Sequence, residues 1–349
     1  MSTARSKHSR RNTIIGAVIT VAVVVAVFGF MLPKVANYDK VWATLGALGP
    51  LETAFIAVGS ILTMLTFWWM NMAALPGLGF HQSAYSTQSS YAVANTVPAG
   101  GPISLGLTYE ILHSYRFSTD SIVLMVGVGG IWNVFGKFII PVLAVAFLLI
   151  SGDHSSGIMT TALIGIAALV VALGLMALVL WKESLARRIG NLVGRIVSWV
   201  LKLIHKPPIT TLGDQAVTFR THTIGLVKHR WQILTLTAVA NNLAYYIVLL
   251  VALRGVGVTS AEVDWAETFA AFAFGRLASA IPITPGAVGT AEAAYIGLLV
   301  AAGAPNAETV AAVLLFRACT YLFPIPVGGV TYLLWRRDVK TGKATRAHV

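Results

Sequence analysis

The sequence predicts an all-α integral membrane protein with six full transmembrane helices and two Pro/Gly-broken, re-entrant helical hairpins. Three observations carry this. The chain is 56% hydrophobic and only 11% charged, against about 25% charged in soluble domains, and its mean hydropathy is +0.77. Several apolar runs reach the roughly 20 residues that a spanning helix needs. Two further apolar stretches are interrupted, at Val97-Pro98-Ala99-Gly100-Gly101-Pro102 and at Pro282-Ile283-Thr284-Pro285-Gly286-Ala287-Val288-Gly289. Hydrocarbon tolerates unwound backbone only where it is buried in protein or lines a cavity. Residues 1–349 therefore read as a single polytopic membrane domain.

The elements follow in order. Residues 1–12 carry Arg5, Lys7, Arg10 and Arg11 and form a basic cytoplasmic N-terminus. The apolar run 13–32 is longer than the hydrophobic core of a signal peptide, so it is expected to be a retained first span. The second span covers 51–75, the first broken segment 84–113, the third span 121–150 and the fourth 157–181. The segment 182–230 leaves the bilayer. Its Leu185, Ile189, Leu192, Ile196 and Val200 recur at helical spacing beside Arg187, Arg188, Arg195 and Lys202. This is a basic amphipathic helix suited to an anionic cytoplasmic leaflet. Lys206-Pro207-Pro208 ends it, and a second short polar helix is expected up to about Arg230. The fifth span covers 231–253, the second broken segment 265–303 and the sixth span 307–335. A basic cytoplasmic tail, 336–349, follows. Trp42, Trp181, Trp231 and Trp335 fall near span ends, as interfacial anchors do.

Each arm of a broken segment has about 10–17 residues, too few at 1.5 Å per residue for a core of about 30 Å. Each segment either crosses once as two half-helices or enters and returns on one side. Loop charge decides. With both re-entrant, 19 of the 25 Lys and Arg residues face the cytoplasm, and the opposite side holds only Lys34, Lys40 and Arg254. With a single crossing, the nine basic residues of 182–230 move outside, against the orientation rule. The two halves then have opposite orientations, which is the pattern of an inverted repeat. Glu110 precedes Lys137 much as Glu292 precedes Arg317.

Basic loops also account for the net charge of +12, so no nucleic-acid partner is expected. The single cysteine, Cys319, excludes a disulfide framework. The eight His residues show no metal-ligand spacing, and no cofactor or metal is expected. Gly127-Val128-Gly129-Gly130 lies inside an apolar span and reads as helix packing, not as a nucleotide loop.

Pro285-Gly286-Ala287-Val288-Gly289-Thr290-Ala291-Glu292 resembles the Pro-Gly-Gly-hydrophobic-Gly-x-x-Glu element of the lysylphosphatidylglycerol synthase transmembrane family. Gly303-Ala304-Pro305 resembles its Gly-x-Pro connector. Leu315-Phe316-Arg317, Tyr321, Pro324 and Gly328 resemble its last helix, and Pro98-Ala99-Gly100-Gly101 its first break. Ala287 departs from the pattern, standing where the family usually has a second Gly. The resemblance implies a membrane region that moves phospholipid between leaflets. The chain ends at Val349, so a stand-alone member without the soluble aminoacyltransferase domain is expected, and lysyl transfer is not.

Arg276, Glu292, Arg317, Glu110 and Lys137 are ionisable at membrane depth, where each costs roughly 2.5–3.5 kcal/mol. Arg276 and Arg317 suit a lipid phosphate, because a planar guanidinium makes two hydrogen bonds to it. The competing reading is a closed Glu292–Arg317 or Glu292–Arg276 pair that locks the second hairpin. Backbone at Gly100, Gly101, Pro285, Gly286 and Gly289, together with half-helix N-termini near Pro102 and Pro285, offers anion-binding donors. Glu110 and Lys137 are weaker candidates. Asn71 and Asn133 read as interhelical glue, while the pair Asn241-Asn242 is open between glue and site.

The expected function is a lipid translocase, flippase or scramblase, not an enzyme. It would bind an anionic phospholipid or lipid-linked headgroup between the two hairpins, in a bacterial inner membrane with both termini cytoplasmic. The rivals are a subunit that scaffolds an envelope-synthesis enzyme and a membrane-embedded lipid-modifying enzyme. The topology is testable: reporter fusions after Lys206 and after Lys343 should both read cytoplasmic. An external signal at Lys206 would change the span parity and exclude a re-entrant first hairpin.

Overall fold

A computed structural model describes residues 48–97, 100–150, 182–203, 212–279 and 287–344, with isolated positions at 43, 46, 167, 170, 171, 174 and 178. The expected first span, most of the fourth, and Pro98, Ala99, Pro285 and Gly286 lie outside these residues. The described residues form α1 (Pro50–Ala74), α2 (Phe80–Thr96), α3 (Gly100–Ser114), α4 (Thr119–Ile150), α5 (Glu183–Leu203), α6 (Leu212–Gly255), α7 (Trp265–Ala278), α8 (Thr290–Ala301), α9 (Asn306–Arg317), a π-helical turn (Ala318–Leu322) and α10 (Pro324–Lys340). No strand occurs among them. Among the described residues, four stretches are long and apolar enough to cross a membrane: Pro50–Ala74, Thr119–Leu148, Leu212–Gly255 and Asn306–Lys340.

The broken segments fold as antiparallel hairpins. α2 packs on α3 and α7 packs on α8. In the first hairpin Thr108 donates to Ser90 across 2.7 Å, two residues equidistant from residue 99. In the second, a Cβ on Gly275 would collide with the Tyr295 ring, and these residues are equidistant from residue 285. The two arms of each segment therefore lie antiparallel. The arms have 17, 15, 14 and 12 residues. The longest reaches about 25 Å at 1.5 Å per residue, short of a bilayer core.

α1 and α6 pair antiparallel along their lengths. Gly255 meets Leu48 and Glu52, Gly59 meets Val248, and Asn241 donates to Thr63 O and Thr66 Oγ1, both at 3.0 Å. Each hairpin also packs on the long span of the other half: α2 on α10, and α7 on α4. This exchange is reciprocal, and the matching spans α1 and α6 run in opposite directions.

α2 is rich in Ser, Thr and Gln, yet Ser83, Ser86, Thr87, Gln88, Ser89 and Ser90 are all buried. Hydrocarbon offers no hydrogen bonds, so neighbours must supply them. Gln88 accepts from Trp68 Nε1 (3.2 Å) and donates to Pro324 O (3.0 Å). Asn71 donates to Thr87, Ser83 donates to Trp68 O, and Ser89 bonds Thr331. Gly328 lets α10 approach the α2 backbone, since a Cβ there would meet Gln88 O and Ala92 Cβ. Small residues at such crossings permit close backbone contact.

Three expectations need correction. The fifth span and the short polar helix before it are one 44-residue helix, α6. No proline falls between Leu212 and Gly255, so nothing interrupts the hydrogen-bond ladder. Its first turns carry α5, through Arg187–Asp214 at 2.6 Å and through Gly190 packed on Leu212 O and Ala216. Ile189 and Leu192 of α5 remain exposed. The sixth span runs on to Lys340 and contains the π turn. Trp335 is not an interfacial anchor: it is 1% exposed, and its Nε1 donates to Ser114 Oγ at 3.0 Å. A partner from α3 gives the indole a place inside the bundle.

The α2–α10 crossing predicts an asymmetric pair of substitutions. Gly328→Leu should destabilise the detergent-solubilised protein by about 1–3 kcal/mol, read as a lower thermal midpoint. Gly329→Leu, whose Cβ meets nothing within 4 Å, should leave it unchanged.

Candidate functional site

Polar groups from both hairpins and three spans converge on a cavity of about 300 Å³. α2 contributes Tyr91 and Asn95, α4 Lys137 and α6 Tyr245. The second hairpin contributes Arg276, Ser279, Ala287, Ala291 and Tyr295. The last span contributes Phe316, Arg317, Thr320 and Tyr321. Three cationic side chains therefore face one space, and no carboxylate lines it among the described residues.

Arg276 sits in the last turn of α7, where a cation complements the helix dipole. At the other end, Asp264 and Glu267 cap the helix reciprocally. The Arg276 guanidinium lies 4.2 Å from the centroid of the Tyr245 ring, and its Nη2 donates to Asn242 Oδ1 at 3.2 Å. Its Nε is buried with no hydrogen-bond partner among the described residues. Lys137 makes no ion pair among them. It lies one turn before Pro141 in α4, and Pro141 has no N–H to return to the Lys137 carbonyl.

Arg317 is held differently. Its Nε donates to Glu292 Oε1 at 2.7 Å, and its guanidinium lies 4.5 Å from the centroid of the Tyr321 ring. The second oxygen of Glu292 accepts from Gly289 N at 2.7 Å. Glu292 is 2% exposed, and both of its oxygens are engaged. α8 therefore starts at Thr290, with its own Glu292 satisfying a donor at the turn. Ahead of it, Gly289 has φ +86° and Ala287 has φ +52°. Ala287 thus occupies left-handed backbone that glycine adopts at lower cost. This gives a physical reason for a Gly at that position in the motif it resembles.

The last span bends beside the cavity. Pro324 has no N–H for the carbonyl of Thr320, so Tyr91 OH donates to it at 3.3 Å. Phe323 N reaches back to Ala318 O at 2.8 Å, the wider π spacing. Tyr321 OH in turn donates to Asn95 O at 3.4 Å.

Next to this cavity lies an apolar groove of about 430 Å³ between α4, α6 and α7, lined by residues such as Trp132, Ile139, Leu143, Phe147, Leu243 and Phe269. Asn242 is in its wall and is also the acceptor for Arg276. The groove and the charged cavity therefore meet at one hydrogen bond.

The structure thus brings together Arg276, Arg317 and Lys137, with Glu292 behind Arg317. The other sequence candidates lie elsewhere. Gly100 is buried where a Cβ would strike the carbonyls of Val93 and Ala94, so it closes the first hairpin. Gly101 is exposed and outside the cavity lining, as is half-buried Glu110. Asn241 ties α6 to α1 and serves as glue. Asn242 orients Arg276. Gly289 gives its N–H to Glu292, and α3 begins at Gly100 rather than at Pro102. Tyr91, Asn95, Tyr245 and Tyr295 were not singled out from sequence. Tyr91 and Asn95 are one helical turn apart, a faint signal, and no local pattern marks the other two.

The Glu292–Arg317 pair carries a prediction. Arg317→Ala leaves a buried carboxylate without its cation, which costs roughly 3–5 kcal/mol, so yield and thermal midpoint should fall. Glu292→Gln in the same chain removes the orphan charge and should recover part of the loss. No recovery, measured by fluorescence size-exclusion chromatography of both variants, would refute a structural role for the pair.

No curated protein sequence matches the chain significantly. The family model for the lysylphosphatidylglycerol synthase TM region matches residues 14–328, nearly the whole chain, including both hairpins and every helix that lines the cavity. The apolar spans and this match agree: the chain belongs to the lysylphosphatidylglycerol synthase transmembrane-region family, as a multi-pass membrane protein of lipid metabolism or transport.

Proposed function

We propose that the protein binds an anionic phospholipid or lipid-linked headgroup between its two hairpins and carries it across the bilayer without changing it chemically. One observation carries this reading: Lys137, Arg276 and Arg317 converge on a single cavity within a helical bundle built to cross a membrane. Cations placed at such depth cost free energy unless an anion answers them. Glu292 answers only Arg317. The apolar groove beyond Asn242 adds space for a hydrocarbon chain beside the headgroup, which suits an amphiphile better than a soluble anion.

The bent last span supports movement. α9 is tied to the second hairpin through Arg317–Glu292. α10 is tied to the first through Gln88–Pro324 and Ser89–Thr331. The π turn between them borders the cavity. Relative motion of the hairpins thus bends a segment that already lacks regular helical bonds.

Purified protein in liposomes with headgroup-labelled lipid tests the reading. Labelled anionic lipid should exchange between leaflets in protein-containing vesicles and remain chemically intact. Arg276→Gln should slow exchange by about tenfold or more, the scale of a lost hydrogen bond to a charged group, with the thermal midpoint retained. A chemically altered lipid would favour an enzyme. Absence of both exchange and alteration in folded protein would favour a scaffold for another membrane enzyme.

A further inference from the structure

We infer that the cavity selects a phosphomonoester, the singly esterified phosphate of a lipid headgroup, over a phosphodiester and over any headgroup bearing an amine. This rests on the anionic-lipid reading above and narrows it.

The argument is a charge balance. Of the three cations that line the cavity, Arg317 is matched by Glu292, whose two oxygens are already engaged by Arg317 and by Gly289 N–H. Lys137 and Arg276 have no carboxylate partner among the described residues. The hairpin turns do not supply one: residues 280–286 and 98–99 contain no ionisable side chain. Among the described residues and the two hairpin turns, two positive charges are left for the occupant. A phosphomonoester carries about −1.5 to −2 charges at pH 7 and three strong acceptor oxygens. A phosphodiester carries one charge and leaves one cation unanswered. An aminoacyl headgroup adds a cation to a wall with no free acceptor carboxylate.

The donors agree with the charges. The buried Nε–H of Arg276 has no partner among the described residues, while its Nη2 is fixed by Asn242 and its plane by Tyr245. A guanidinium held at one corner and on one face presents its remaining edge in a set direction. Arg276 lines the cavity, so a guanidinium fixed in this way suits charge-assisted hydrogen bonds to phosphate oxygens. Lys137, an ammonium with three donors, suits a further oxygen as a point charge.

Short-chain lipids titrated calorimetrically into the full-length protein in a neutral detergent provide the test. Dioctanoyl phosphatidic acid should bind about tenfold or more tightly than dioctanoyl phosphatidylglycerol, the scale of one extra charged hydrogen bond. Lysylphosphatidylglycerol should bind more weakly than either. Inorganic phosphate should compete with phosphatidic acid only weakly, because it lacks the chains. Phosphate binding as tightly as the lipid would show a free-phosphate site and overturn the lipid source. In Arg276→Gln and Lys137→Gln, the preference for phosphatidic acid over phosphatidylglycerol should collapse toward unity. An undiminished preference in both folded variants would place the selectivity outside the cavity and overturn the inference. Equal affinities in the wild-type protein would overturn it too, while leaving the anionic-lipid reading intact. Failure of every anionic lipid to bind would remove that reading as well. The wild-type comparison stands even if a variant does not fold.

Discussion

Glu292 joins two breaks in the chain. One oxygen caps the turn that starts α8, and the other holds Arg317 at the end of α9. Without the first bond, the restart of the second hairpin would leave a donor unpaired in a medium that offers no water. Without the second, a buried carboxylate would lose its cation. The turn needs backbone at positive φ, at Gly289 and at Ala287, and that geometry brings Gly289 N–H onto the carboxylate. Arg317 is then held close to Tyr321, at the cavity wall and at the start of the π turn. Much of the site's geometry follows from this one side chain.

The same demand for internal partners shapes the first hairpin. The buried face of α2 is largely Ser, Thr and Gln, so its position is set in good part by hydrogen bonds to α1, α3 and α10. Tyr91 repairs the carbonyl that Pro324 leaves open. Gln88 bridges Trp68 and Pro324. These bonds fix the C-terminal half of the last span, α10, to one hairpin, while Glu292 fixes the N-terminal half, α9, to the second hairpin. The cavity lies where the two attachments meet. Among the described residues, two of its cations are left incompletely partnered there: Arg276, whose buried Nε has no hydrogen-bond partner, and Lys137, which has no ion pair.

Charged cavity and apolar groove share Asn242. Its amide accepts from Arg276 and donates to Ala238 O at 2.8 Å, so neither end is left open. Gly136 brings α4 close to the same amide, since a Cβ would stand 2.7 Å from Asn242 Nδ2. A single polar residue thus separates a cationic wall from an apolar one. An amphiphile needs that junction, because its headgroup and chain are covalently joined and must be accommodated side by side.

Composition by itself determined the solvent of this protein. A chain with so few charges and so many apolar runs is a membrane helical bundle, and Pro and Gly at two points determined where its helices break, because neither residue supports a continuous ladder. Sequence also pointed to Arg276, Glu292, Arg317 and Lys137, since an ionisable group in an apolar run is expensive wherever it lies. What it left open is which of these meet. Glu292 had two candidate partners, and the choice of Arg317 over Arg276 depends on how α8 packs on α9. Asn241 and Asn242 are neighbours in sequence, but they lie about 100° apart around a helix. One therefore faces α1 as glue and the other faces Arg276. Gly100 and Gly101 divide in the same way, one buried against backbone and one exposed. Tyr245 and Tyr295 belong to the cavity only through contacts between helices distant in sequence. The length of α6 and the burial of Trp335 escaped local reading for a related reason: a polar or amphipathic segment takes its place from what packs against it, and only the tertiary structure supplies the partner.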